Sequence, residues 1–218
     1  MIGQPGNCSG LEIDLPQFAL RNRLDVAYRD ARINRLFEGT NEINRLLITG
    51  MLLKRAARGE LALVPAAQEV LGGGRPHSEK QADERPSLQK AKRVALLAIG
   101  TAYQKYGMDM QKQQEILMSI SDMLMEILAM ESALLRSRKL NAVQKGANAA
   151  DATTVLLGEG MDRIEVLCRA VLGNCLAGDA LQHAMSFLHD LACYAPSDTV
   201  RIRREIASRL IAAERYLC

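Results

Sequence analysis

The chain has 218 residues, 48% apolar and 24% charged, with a formal net charge of +3. That is the make-up of a globular protein of one or two small domains, and the charge is too small to imply a nucleic-acid binder. No run approaches the ~18 apolar residues of a membrane span, and the N-terminus lacks the charged start and apolar stretch of a signal peptide.

Aromatic residues make up only 4% of the chain, with no Trp, against 10 Met. Alanine, leucine and methionine must therefore fill the core, and all three favour helix. The five cysteines are Cys8, Cys168, Cys175, Cys193 and Cys218. Their number is odd and none forms a C-x-x-C pair, which reads as reduced, mostly buried thiols in a cytosol-like compartment.

In chain order, residues 1–27 begin as loop: Gly3, Pro5, Gly6, Gly10 and Pro16 interrupt any period. Helix is predicted from about Asp25, with Arg29, Arg32 and Arg35 at every third place. The break at Glu38-Gly39-Thr40 is short. Thr40 or Asn41 can cap a second helix with Glu42 in its first turn, where negative charge is favoured. Ile43, Leu46, Leu47, Gly50 and Met51 form one apolar stripe, and Gly59 is a natural stop.

Residues 61–87 read as a linker by composition, with Pro65, Gly72-Gly73-Gly74, Pro76 and Pro86 among polar residues. The ELALVPAAQEVL stretch can form a short apolar helix there. Residues 88–218 read as a bundle of four or five helices. The first runs from about Leu88 to Tyr106 and stops at Gly107. The second, about 109–138, carries Ile116, Ile120, Met123, Ile127, Met130 and Leu134, the spacing of a packed seam. Leu117, Leu124, Leu128 and Leu135 widen that stripe toward a bundle core. A third helix holds Ile164, Leu167, Cys168, Val171 and Leu172, with Gly158 and Gly160 as weak points. A fourth holds Leu181, Ala184, Met185 and Leu188. A fifth begins near Ser197, a good N-cap after Pro196. No alternating strand and no fixed repeat is found, so the predicted fold is all-α: a helical hairpin, a linker and a helical bundle.

The chemistry concentrates in Tyr28 to Glu60, YRDARINRLFEGTNEINRLLITGMLLKRAARGE. From Ala19 to Arg58 there are nine Arg/Lys and four Asp/Glu. A helix N-terminus beside that excess of positive charge can bind phosphate, and a Gly after a carboxylate lets a ligand approach the backbone. By themselves these residues better describe a capped turn between two helices with Glu38 in solvent.

R-D-A-R-I-x-R-[IL]-[FY]-E-G-T-N-E-I-x-R is similar to a signature near the C-terminus of acyl-CoA dehydrogenases. The match is dense and ungapped over Tyr28–Glu60. The LLITGMLLKRAARGEL continuation and the helical region beyond the linker resemble the very-long-chain branch of that family. The resemblance implies that residues 28–60 end the family's C-terminal helical domain and that 88–218 are a helical extension.

It also implies a role for each residue of the turn. Glu38 matches the base that removes the α-proton of an acyl thioester while a hydride passes from the β-carbon to FAD, leaving a trans-2-enoyl-CoA. A carboxylate suits this role because the bound acyl chain excludes water and lifts its pKa toward the working range. The base is expected at a dry junction between helices. Its own N–H, in the family, polarises the thioester carbonyl. Phe37 and Gly39 match substrate-side positions, and Thr40, Asn41 and Glu42 match positions that touch the ADP part of FAD. The implied partners are long-chain acyl-CoA, electron-transferring flavoprotein and a second subunit, with possible peripheral membrane contact and no nucleic acid. The implied location is cytoplasmic, or the mitochondrial matrix or inner-membrane surface in a eukaryote.

The family's N-terminal helical domain and flavin-covering β-domain have no counterpart here, and residues 1–27 do not resemble the Gly-rich, aromatic stretch that usually precedes Y-R-D. The expectation is a truncated chain that alone binds FAD weakly or not at all and is inactive. The competing reading is a non-catalytic dimerisation or membrane-docking module. Asp179, His183, His189 and Cys193 can be drawn as a metal site, but such i, i+4 pairs arise by chance on one helix, and no metal is expected. His77 lies in the linker, in solvent. Arg201-Ile202-Arg203-Arg204 reads as a solvated face before an anion site. ELALVPAAQEVL stands where the very-long-chain enzymes carry a membrane-associating segment, but it lacks flanking Lys or Arg.

Overall fold

A computed structural model describes residues 24–74, 86–142 and 146–214. Among them every regular element is helical, as the sequence predicts: α1 (Leu24–Ile33), α2 (Asn41–Ala57), α3 (Leu63–Leu71), α4 (Pro86–Tyr106), a 3₁₀ segment (Gly107–Lys112), α5 (Gln114–Ala142), α6 (Ala147–Cys175), α7 (Gly178–Ala192) and α8 (Thr199–Ala213). The chain divides into two compact units, Met1–Asn44 and Arg45–Cys218. Cys8 and Cys218, His77 and the readings made on residues 1–23 lie outside the described residues.

In the first unit, α1 carries Val26, Tyr28 and Ile33, all exposed. The turn that follows is closed by backbone bonds from Leu36 N to Ile33 O (2.9 Å) and from Asn41 N to Arg35 O (3.2 Å).

The second unit has a continuous apolar core built by α4, α5 and α6. The seam on α5 is buried throughout: Ile120, Met123 and Met130 are fully buried, and Ile116, Ile127 and Leu134 nearly so. Leu117 joins them and Leu124 is partly buried. Leu128 (64%) and Leu135 (57%), expected to widen the stripe, are exposed instead. They sit one heptad apart on a face that α4 and α6 do not reach, because two neighbours cover only part of a helix's circumference.

Opposite the seam, α6 buries Met161, Ile164, Cys168, Val171 and Leu172. Gly160, expected as a weak point, is a contact point. A Cβ there would lie 2.8 Å from Met130 Sδ, so the missing side chain is what lets α5 and α6 approach. Gly100 on α4 does the same for α3: its Cβ would meet Leu71 Cδ1 at 2.8 Å and the Ala67 Cβ at 3.2 Å. The short apolar helix anticipated in the 61–87 segment is therefore packed, with Ala67 and Val70 buried against α4. Part of its apolar face is thereby buried against the bundle.

Helix ends follow local chemistry. α2 stops where Gly59 takes φ +74°, with Gly59 N bonded to Ala56 O (3.0 Å) and Glu60 N to Arg55 O (3.0 Å), a Schellman closure. Gly107, at φ +52°, ends α4 as predicted. The cap of α8 is Asp198, not Ser197: the Asp198 carboxylate accepts from Arg201 N at 2.9 Å. A carboxylate one residue nearer the first turn meets the free N–H groups and the helix dipole together. The start of α5 also shifts, to Gln114, because residues 107–112 are spent on the 3₁₀ segment.

Candidate functional site

Glu38 sits at the centre of a turn of unusual backbone. It adopts φ +62° and Gly39 φ +91°. The left-handed region costs a non-glycine L-residue ~1 kcal/mol or more, so holding Glu38 there takes reinforcement from its neighbours. Thr40 Oγ1 accepts from Ile43 N at 3.3 Å, and Thr40 O accepts from Asn44 N at 2.9 Å. Asn44 Nδ2 reaches back to donate to Gly39 O at 3.0 Å. A Cβ on Gly39 would stand 3.0 Å from Asn44 Oδ1. Gly39 is thus required by its torsion and by the Asn44 brace, besides any closeness to a ligand. Asn44 is the member of this turn that sequence reading missed; a short polar side chain four residues beyond a helix-capping Thr was the available signal.

Thr40, one of the two predicted caps, does cap α2, which leaves Asn41 and Glu42 as exposed polar side chains in its first turn. Phe37 is exposed at 54% and Leu36 at 71%. Glu38 is exposed too. Among the described residues the dry junction expected around this carboxylate is therefore not formed. The physical reason is the scarcity of cover: every side chain described from Val26 to Glu38 is itself exposed.

The predicted stripe on α2 (Ile43, Leu46, Leu47, Gly50 and Met51) is rotated in part. Leu46 packs against the core and Gly50 is half-buried, but Ile43, Leu47 and Met51 are exposed, while Thr49 is 1% exposed and Leu52 and Leu53 pack against the core. An apolar count favoured the first set. Burial went instead to the face on which Thr49 finds hydrogen-bond partners on α5: its Oγ1 donates to Leu117 O at 2.9 Å and contacts Ser121 Oγ.

Burial pushes the Cys168 thiol up to about 12, and it also raises the Cys175 thiol. Cys193 is exposed, unlike the mostly buried thiols anticipated. Burial and a 2.7 Å hydrogen bond donated to Asp162 Oδ1 lift the Tyr194 phenol to about 12. Asp179, His183, His189 and Cys193 are all exposed, and among the described residues no group of three His, Cys, Asp or Glu could hold a metal ion. The Arg201–Arg204 run is a solvated face anchored by buried Ile202, with Arg201 paired to Glu205 at 2.6 Å and Arg203 to Glu159. Among the described residues no helix is long and apolar enough to cross a membrane.

Comparison with known proteins agrees with this reading of the fold. Residues 90–190 match the family described as acyl-CoA dehydrogenase, C-terminal domain. That match falls on the bundle, beyond the E-G-T turn. A probable acyl-CoA dehydrogenase of Bacillus subtilis (strain 168) is 38% identical over 208 residues, 91% of this chain and 35% of that protein. The crystal structure of an acyl-CoA dehydrogenase complexed with FAD from Bacillus anthracis superposes with a TM-score of 0.78 at 36% identity, over 88% of this chain and 34% of that one. The chain spans about a third of the length of these relatives. Over residues 90–190 the chain is similar to the acyl-CoA dehydrogenase C-terminal domain family, and the relatives it matches are named acyl-CoA dehydrogenases.

Proposed function

We propose that the chain is the C-terminal part of a flavin-dependent acyl-CoA dehydrogenase that oxidises long-chain acyl-CoA to trans-2-enoyl-CoA, with Glu38 as the base. The observation that supports it is the built turn: a carboxylate held in left-handed backbone between a capped helix and a braced glycine. Such strain persists where surrounding contacts over-determine it, and it is common at functional sites.

In this reading Glu38 takes the α-proton onto a carboxylate oxygen. The rest of the enzyme, with substrate bound, supplies the dry surroundings that these residues lack and so brings the carboxylate to a useful basicity. FAD supplies the hydride acceptor. Asn41 and Glu42, polar and free of the capping bond that occupies Thr40, suit hydrogen bonding to its ADP part at a helix N-terminus. They cover one edge of such a cofactor, which fits weak or no FAD binding by the isolated chain. Electron-transferring flavoprotein as acceptor and a second subunit complete the proposal.

The test is a chimera in which this chain replaces the matching C-terminal third of the Bacillus subtilis relative. Flavin bleaching by palmitoyl-CoA should fall by about 10²–10⁴-fold in rate on Glu38→Gln. A chimera that bleaches equally fast with that substitution removes Glu38 as the base. Stoichiometric flavin on the isolated chain would remove the view that it binds FAD poorly.

One observation favours a self-association role besides. Leu128 and Leu135 are exposed one heptad apart on α5, which suits a helical contact with a second copy. Gel filtration of the isolated chain, with and without Leu128→Glu, separates this role from catalysis.

A further inference from the structure

The first turn of α2 carries the candidate cofactor-side residues, and α2 is one unbroken helix from Asn41 to Ala57. Arg45 and Thr49 lie further along the same helix, so their contacts bear on its rotation and axial position. Apolar contact fixes these poorly. Leu46, Leu52 and Leu53 lie against the core, but hydrophobic burial is non-directional and tolerates rotation and sliding. A slip of one residue moves a helix ~1.5 Å and turns it ~100°, and a 1 Å misplacement at a reacting centre can cost roughly 10²-fold in rate.

Directional contacts are present, made by Leu117, Ser121 and Asp122 of α5. Arg45 Nε donates to Asp122 Oδ1 at 2.6 Å, with both side chains about one-third exposed. One turn along, Thr49 Oγ1 donates to Leu117 O at 2.9 Å, while Ser121 Oγ donates to Arg45 O and meets the Thr49 hydroxyl. Thr49 (1% exposed) and Ser121 (0%) are enclosed in apolar surroundings. A buried hydroxyl must be partnered, so only a narrow range of rotation and offset satisfies both hydroxyls and the ion pair at once. The resemblance motif ends at Arg45 and does not include the α5 residues.

We propose that Ser121 and Asp122 of the bundle, acting through Thr49 and Arg45, are positioning residues that set the rotation and register of the helix bearing the cofactor-side turn. The inference deepens the dehydrogenase reading and rests on it for its catalytic meaning. It gives the C-terminal bundle a task in the reaction: indexing a catalytic helix.

Hydrogen–deuterium exchange of the full chain tests it. Thr49→Val, which keeps the shape and deletes the hydroxyl, and Asp122→Asn should each speed exchange of the α2 amides from Arg45 to Leu53 by about fivefold, the weight of one net hydrogen bond in a local opening equilibrium. The amides of α6 should be unchanged. Thr49→Ser, which retains the hydroxyl, should stay within about twofold of wild type on the same measure. Unchanged α2 exchange in both disruptive variants overturns the proposal. So does acceleration spread equally over all helices, or Thr49→Ser behaving like Thr49→Val. Glu38→Gln should leave the exchange pattern alone, so loss of the base assignment in the chimera and loss of this indexing contact are read separately.

Discussion

The Glu38 turn and the α4–α6 bundle are both helical and both rich in apolar residues, yet they use those residues in opposite ways. In the bundle, Leu172, Ile164 and Met130 are fully buried. In the turn, Leu36 and Phe37 stand 71% and 54% exposed. The bundle is held by its own packing, which is where most of a domain's stability comes from. Among the described residues the turn is held by hydrogen bonds and backbone geometry: the Thr40 cap, the Asn44 brace and the Gly39 torsion.

The comparison can be broken first by truncation in the core. Leu172→Ala should cost about 3 kcal/mol in urea unfolding followed by circular dichroism; a loss under about 1 kcal/mol would mean that the bundle does not carry the stability assigned to it. Gly160→Val should cost about 2 kcal/mol by overpacking against Met130, and a neutral result would show that α5 and α6 have slack between them.

A third prediction uses pH. The Cys168 thiol is raised from its usual 9.0 to about 12 by burial, so the folded chain keeps a proton that the unfolded chain releases. Its contribution is fully present below pH 9 and is lost as pH rises toward 12. By pH 10 the loss should be on the order of 1 kcal/mol. The Tyr194 phenol, raised from 10.0 to about 12, acts in the same direction between those values. Melting temperature against pH in the Cys168→Ala variant should fall less steeply above pH 9 than in wild type, and an equal slope would leave Cys168 without this role. The smallest effect belongs to the turn. Leu36→Ala and Phe37→Ala should each change unfolding free energy by less than about 0.5 kcal/mol, and a loss of core size would show that the turn is packed after all.

Much of the architecture was legible from pattern. The 3.5-residue seam on α5, the stop at Gly107 and the Schellman glycine at Gly59 depend on spacing and on torsions that few residues tolerate, and both are local properties of the chain. So is the Thr40 cap, which needs only its own helix start. The assignment of Glu38 drew on resemblance, because a carboxylate before a glycine has no distinctive physics of its own.

What the sequence could not decide was which face each helix would turn inward. Ile43, Leu47 and Met51 of the predicted α2 stripe are exposed, yet the buried face is the one with Thr49, since the Leu117 carbonyl and the Ser121 hydroxyl on α5 partner its hydroxyl. Leu128 and Leu135 stayed out because α4 and α6 leave that side of α5 uncovered. Gly160 looked like a flaw and serves as a point of close approach, because Met130 of α5 packs against it. Periodicity reports that a helix has an apolar side. Only the arrival of a neighbouring helix, with its own polar groups and its own gaps, chooses which side is buried.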